Sequence, residues 1–177
     1  MKHTEYKPNE SLHSDLIVRK GDFFVKADQN NYRIGKLYKG ILRGFTVNND
    51  GKEFTTHFFK EGDLVSGNYI PNIPATMNIQ AIEDCQISVA NYKEIFSHVN
   101  KDSDLTNIIL SNFERLNKQN QSRLDALISG DALAKYKWFL YEYPNLLNRI
   151  PHYYIANFLG MAPTQLSRTR KTFSQQM

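Results

Sequence analysis

Cysteine is almost absent from this chain: Cys85 is its one thiol in 177 residues. An intramolecular disulfide is therefore impossible. A cysteine-ligated iron–sulfur cluster and a four-cysteine zinc site are excluded within one chain for the same reason. Cys85 lies in the alternating stretch DCQISVA and reads as a small buried hydrophobe, with redox sensing as the alternative. Long apolar runs are missing too, and none approaches membrane-spanning length. The N-terminal stretch MKHTEYKPNESLHSDL lacks the hydrophobic core of a signal peptide. These absences lead us to expect a cytoplasmic protein with no membrane partner.

What is present suffices for a folded chain. Apolar residues make up 41% and aromatics 12% of the sequence, enough for a packed core rather than wholesale disorder. The length fits one large domain or two small ones. The net charge of +4 is modest, but it is unevenly placed. From Asp131 onward the chain carries six basic residues and two acidic ones, whereas the first 130 residues balance. A polyanionic partner such as double-stranded DNA accounts for that asymmetry, because phosphate neutralisation supplies most non-specific affinity. A solvated charged surface is the alternative.

From about Asp22 to Ala90 the pattern is that of short strands. Ile41, Arg43, Phe45 and Val47 alternate with Leu42, Gly44 and Thr46, and the run stops at Asn48-Asn49-Asp50-Gly51. Asp-Gly between β-rich runs predicts a hairpin, because both residues tolerate positive φ. The return strand, Lys52 to Phe59, is expected to place Phe54, Thr56 and Phe58 on one face, and Glu61-Gly62-Asp63 breaks it. Two further strands follow, near Met77 to Ile82 and Cys85 to Ala90, separated at Glu83-Asp84. Short strands with regular turns predict an antiparallel β-roll or jelly roll.

Helices follow. Asn91 and Glu94 resemble a capping box opening a short helix through Ile95, Phe96 and Val99. A long helix is expected from about Ser103 to Ile128, with Leu105, Ile109, Phe113, Leu116, Leu124 and Leu127 apolar at spacings of three, four or their multiples. Its polar section, Asn117 to Ser122, fits either a helix packed on its own domain or a dimer helix with Asn120 at the seam. We favour the dimer, with Leu105, Ile109, Phe113, Leu116, Asn120 and Leu124 along its stripe. Ser129-Gly130-Asp131 is a breakpoint, Asp131 can cap the next helix, and Pro144 closes it. Three helices from Asp131 to about Phe173 can share one small core centred on Trp138 and Phe139. The expected division is residues 1–102, a β-roll sensor; 103–130, a connecting and dimerisation helix; and 131–177, a DNA-binding domain.

Within that last part, IPHYYIANFLGMAPTQLSRTRK reads as two short helices joined by a tight turn. Ile155, Ala156 and Leu159 form an apolar stripe, Gly160 stops the first helix, and Pro163 begins the second. Leu166 points inward, while Gln165, Ser167, Arg168, Arg170 and Lys171 remain on other faces. This is the helix-turn-helix plan, whose second helix reads base edges in the major groove. An ordinary helical hairpin is the bland alternative.

A β-roll, a long helix and a C-terminal helix-turn-helix in this order resemble the Crp/Fnr family of bacterial transcription regulators. The resemblance spans roughly Asp22 to Lys171, and the C-terminal part looks most like members from the Bacteroidetes group. Its most specific segments are LYEYPNLLNRIPHYYIANFLGMAPTQLSRTRK and LYKGILRGFTVNNDGKEFTTHFFKEGDLVSG. It implies a homodimer on palindromic operators, RNA polymerase as a partner, and a sensor open to a small-molecule effector. Cyclic-nucleotide-binding members hold the ligand with a Gly-Glu-Leu turn and an Arg-Ser/Thr-Ala segment. The matching stretches here read Val65-Ser66-Gly67-Asn68-Tyr69 and Pro74-Ala75-Thr76-Met77. Gly67 and Thr76 remain, but Asn68 replaces the Glu and Ala75 replaces the Arg. A cyclic phosphate would lose its charge-assisted partner there, so cyclic AMP is not expected to bind.

The resemblance also places Pro163, Thr164, Gln165 and Arg168 at DNA-contacting positions. The DNA-binding set is Thr164, Gln165, Ser167, Arg168, Arg170 and Lys171. Thr164 stands where Glu is common, removing a cytosine contact. Ala162 replaces the usual Ser or Thr N-cap, at a cost of about 1 kcal/mol. No two-stranded wing is expected after the second helix. Haem sensing would need a ligand among His3, His13, His57 and His98, and none has a diagnostic setting.

Two competing readings remain. A cupin-like small-molecule-binding protein or metal-dependent enzyme could use the jelly roll, but metal-dependent cupins need clustered His and Glu, and no His-x-His pair occurs. The helix-turn-helix could instead serve protein interaction. No nucleophile motif joins Ser, His and Asp. We expect no catalytic residue, no metal site and no cofactor.

Overall fold

The computed structural model describes residues 14–68, 73–99, 103–128 and 131–175. Among these residues, eight strands precede five helices. The strands are β1 (Ser14–Val18), β2 (Phe23–Val25), β3 (Arg33–Lys39), β4 (Leu42–Val47), β5 (Glu53–Phe59), β6 (Leu64–Val65), β7 (Asn78–Ala81) and β8 (Cys85–Asn91). The helices are α1 (Tyr92–Val99), α2 (Ser103–Ile128), α3 (Ala132–Glu142), α4 (His152–Phe158) and α5 (Pro163–Ser174). Two compact units result, Met1–Phe113 and Glu114–Met177. The division falls inside α2.

In the first unit, two four-stranded antiparallel sheets are ordered β1-β8-β3-β6 and β2-β7-β4-β5. The antiparallel strands are what the alternating runs predict, and with the helices that follow them the chain is α+β. Val18, Leu37 and Ile87 from one sheet join Leu42, Phe59 and Ile79 from the other in a single buried cluster. Burying each such side chain contributes roughly 1.5–3 kcal/mol before entropy is counted. Cys85 belongs to this core and is fully buried. Burial pushes its thiol pKa up to about 12, so the sulfur is a packed, protonated group.

The hairpin between β4 and β5 closes on Asn48, whose side-chain oxygen accepts from the Asp50 and Lys52 amides. Gly51 adopts φ 76°, while Asp50 does not enter the left-handed region. One left-handed residue after a turn matches a three-residue hairpin loop with a glycine bulge, so of the Asp-Gly pair only Gly51 uses its tolerance of positive φ.

A register shift between β4 and β5 revises a second expectation. Gly44 pairs with His57 and Phe45 with Thr55, leaving Thr56 as an extra residue on β5. A bulge of this kind inverts side-chain alternation beyond it. Phe54 and Phe58 therefore lie on opposite faces, and only Phe58 is buried.

Strand β1 was not anticipated by the sequence pattern; it pairs antiparallel with β8 at the sheet edge. Arg43 is also unexpected, being 1% exposed. Its Nη1 lies 2.6 Å from Glu53 Oε2, and its Nε donates to Thr55 Oγ1 at 2.9 Å. The ion pair satisfies a charge that burial alone would penalise.

Candidate nucleic-acid interface

The second unit builds a small helical core before it presents any polar face. Asp131 caps α3 by accepting from the Leu133 amide at 2.8 Å; Ser129 and Gly130 lie outside the described residues. Phe139, Tyr143, Ile155, Ala156, Phe158 and Leu166 are buried. Of the two residues expected at the centre, Phe139 is fully enclosed. Trp138 is half-buried, and its indole N–H donates to Ser122 Oγ at 2.6 Å.

The turn after α4 has a complete physical account. Gly160 adopts φ 61°. The Met161 amide donates to the Ala156 carbonyl at 3.0 Å, and the Gly160 amide donates to Asn157 at 3.1 Å. These two bonds are the Schellman pattern, which requires a left-handed residue at the position Gly160 holds. Pro163 then opens α5, and Ala162 at the N-cap makes no side-chain hydrogen bond.

Helix α5 is two-sided. Leu166 and Thr169 are buried, and Phe173 packs edge-on against Tyr136 with centroids 5.5 Å apart. Thr164, Gln165, Ser167, Arg168 and Lys171 are exposed. Thr164, Arg168 and Lys171 follow helical spacing, so one solvent-facing surface collects a hydroxyl and two cations. Arg170 is half-buried, its guanidinium resting against the His152 imidazole. Burial, and then the Arg170 charge, hold the His152 pKa below its ordinary value.

The long helix serves this unit with its second half. Arg123 Nη2 donates to the Phe158 carbonyl at 2.7 Å, and its guanidinium lies over the Phe158 ring. Gln119 is buried beside Glu142. Sequence reasoning grouped Gln119 and Ser122 in one polar section and passed over Arg123. No local pattern marks these three, because their partners lie 16 to 35 residues away.

Along the predicted dimer stripe, Leu105 is buried, and Ile109 and Leu116 are half-buried. Phe113, Asn120 and Leu124 are exposed. Leu110 and Ile128 add further exposed apolar surface to the same helix.

In the first unit, Gly67 and Ala75 are buried, Asn68 is half-buried and Thr76 is exposed. A Cβ built on Gly67 would come within 2.5 Å of Val25 Cγ1 and 2.8 Å of Ala75 Cβ. Asn68 donates its side-chain amide to the Pro74 carbonyl at 3.2 Å. The Thr76 amide donates to the Gly67 carbonyl at 3.4 Å. The Ala75 methyl therefore packs into the core, where the resemblance placed an arginine. Among the described residues, no three His, Cys, Asp or Glu side chains cluster as metal ligands would. No described helix is long and apolar enough to cross a membrane.

No family model matches the sequence. No curated protein matches it either. Solved structures do. FixK2 from Bradyrhizobium japonicum is similar at a TM-score of 0.81 and 16% identity, over 93% of this chain and 86% of that one. A double variant of CooA from Carboxydothermus hydrogenoformans gives 0.76 and 17%, over 98% and 81%. A protein from Eubacterium rectale described as a transcriptional regulator of the crp/fnr family gives 0.71 and 16%, over 93% and 79%. At such identities the likeness is one of architecture: the chain has the cyclic-nucleotide-binding-like and helix-turn-helix fold of Crp/Fnr-type regulators.

Proposed function

We propose that this chain is a Crp/Fnr-family transcription regulator that binds palindromic DNA operators as a homodimer and carries no enzymatic activity. The observation that carries this reading is the outer face of α5. Thr164, Gln165, Ser167, Arg168 and Lys171 are all exposed on a helix held by a glycine turn and anchored through Leu166. Gln165 can bond adenine bidentately and Arg168 can bond guanine, which is how sequence is read in the major groove. Lys171 and Arg170 supply phosphate contacts that fix register. RNA polymerase is the further partner.

The dimer runs through α2, where Phe113, Leu124 and Ile128 leave apolar surface exposed in the single chain. In functional terms residues 1–102 form the sensor, 103–130 the dimer helix, and 131–177 the DNA-binding part. The sensor does not take cyclic AMP, because Ala75 offers a buried methyl to the phosphate and Asn68 no carboxylate to the ribose. The test is binding-site selection from random duplexes with the full chain. An enriched palindrome with half-sites about 34–36 Å apart is expected; no enriched motif would overturn the reading.

A further inference from the structure

The segment joining β2 to β3 frames a concavity of about 250 Å³. Phe24 and Val25, both core residues, form its apolar floor. Its polar wall is Lys26, Gln29, Asn30, Asn31, Tyr32 and Arg33. Among the described residues, no carboxylate lines it, and none of Gly67, Asn68, Ala75 and Thr76 does either.

The backbone of this segment is held firmly from beneath. The Asp28 amide donates to the Ala75 carbonyl, and the Ala75 amide donates to the Gln29 carbonyl, both at 2.9 Å. Ala27 donates to Asn78 Oδ1 at 3.1 Å, and Tyr92 donates to the Tyr32 carbonyl at 2.8 Å. The Asn31 side chain brackets Arg33, accepting from its amide and donating to its carbonyl. Asp28 sits at φ 61°, a conformation that a side chain other than glycine rarely adopts without such anchoring.

Apart from Asn31, the polar side chains of the wall make no hydrogen bond among the described residues. No ion pair among them engages the side-chain polar atoms of Gln29, Asn30, Tyr32 or Arg33 either. Among those residues, Lys26 Nζ meets only the Phe23 ring, at 5.4 Å from its centroid. A fixed loop carrying two cations and several neutral donors needs little reorganisation to take up an anion.

We propose that this concavity binds a small doubly charged oxyanion, either a phosphate monoester or a short dicarboxylate. Arg33 supplies the planar fork that matches such a group, and Lys26 a second, compact charge. The Gln29 and Asn30 amides and the Tyr32 phenol donate to the remaining oxygens. The volume falls below the roughly 300–1,000 Å³ of pockets that hold drug-sized ligands, so the occupant is a metabolite of few carbons rather than a nucleotide. The site stands whether or not the chain binds DNA.

Titration calorimetry of the full chain with inorganic phosphate, glycerol 3-phosphate and succinate tests it. Saturable binding of one anion per chain is expected for at least one probe, weakening as salt rises. The tighter of the two organic probes identifies the source of the dianion. Arg33→Gln and Lys26→Gln should each weaken binding at least about tenfold. Lys36→Gln, an exposed cation on β3 outside the concavity, should leave it unchanged. All three side chains are exposed, and circular dichroism checks that each variant folds. Absence of saturable heat at millimolar concentrations of every probe would overturn the proposal. Equal affinity in all variants would do so too, marking an adventitious ion only.

Discussion

Arg123 and Phe158 are joined twice: the guanidinium lies 4.0 Å from the ring centroid, and Nη2 donates to the Phe158 carbonyl at 2.7 Å. Phe158 is the last residue of α4, so Arg123 satisfies one of the carbonyls that a helix end leaves without an internal partner. Arg123→Ala should therefore destabilise the helical unit by roughly 2 kcal/mol, combining a desolvated cation–π contact with a charged hydrogen bond. Thermal melting followed by Trp138 fluorescence measures this. A variant as stable as the parent would show that the contact contributes nothing.

Gln165→Ala and Arg168→Ala should each cost about 1–3 kcal/mol on the selected operator and relax preference at one base position. Lys171→Ala should instead weaken all sequences alike and reduce the salt dependence of binding. Fluorescence anisotropy on the operator and on single-base variants separates the two behaviours. Uniform loss in all three variants would rule out direct base reading by Gln165 and Arg168.

Phe113 and Leu124 are the residues to charge when testing the dimer, because both are exposed in the single chain, whereas Ile109 and Leu116 already pack partly against it. Phe113→Asp with Leu124→Asp should leave a folded monomer with weak operator affinity. Light scattering at micromolar concentration reports the mass. A monomeric parent protein would remove the dimer from the proposed function.

Cyclic AMP and cyclic GMP should leave the melting temperature unchanged even at millimolar concentration. A ligand at a hundred times its dissociation constant would stabilise the folded state by about 2.7 kcal/mol, which melting would register. A clear shift would mean that the core packing of Val25, Gly67 and Ala75 opens to admit a phosphate.

Acid should loosen the helical unit through His152. Its folded pKa lies below the ordinary histidine value of about 6.5, first through burial and then through Arg170. A depressed value means the folded state resists protonation more than the unfolded state does. The contribution is thus full above about pH 6.5 and is lost as pH falls through the folded value. His152→Gln should flatten the pH dependence of melting in that window, and an unchanged profile would place its origin elsewhere.

Local rules made much of this chain legible before any coordinates. Ile155, Ala156, Leu159 and Leu166 repeat at helical spacing, and Gly160 and Pro163 punctuate them where the turn and the second helix occur. Asp131 capped its helix as its position suggested. Features that depend on distant partners were not legible. Ser14–Val18 becomes a strand only beside Cys85–Val89. The Thr56 bulge exists only relative to β4. Arg43 is tolerable in the interior because Glu53 and Thr55, ten and twelve residues away, engage it. The concavity between β2 and β3 has no sequence signature, because the loop takes its shape from the bonds that Asp28 and Gln29 make to Ala75, more than forty residues away.

The pairing of β1 with β8 bears on how the chain comes to be made. Ser14 partners Val89 and Val18 partners Cys85, so the first described strand to leave the ribosome pairs, among the described strands, with the last. During synthesis β4 and β5 can zip through their short loop while β1 waits. Closing so long a loop costs only slowly growing entropy, about (3/2)RT ln n for n residues. Yet non-local pairing of this kind is what makes folding slow. Until Asn91 emerges, β1 is an unpaired edge carrying Leu16, Ile17 and Val18, the interval in which a nascent chain most needs protection from its neighbours.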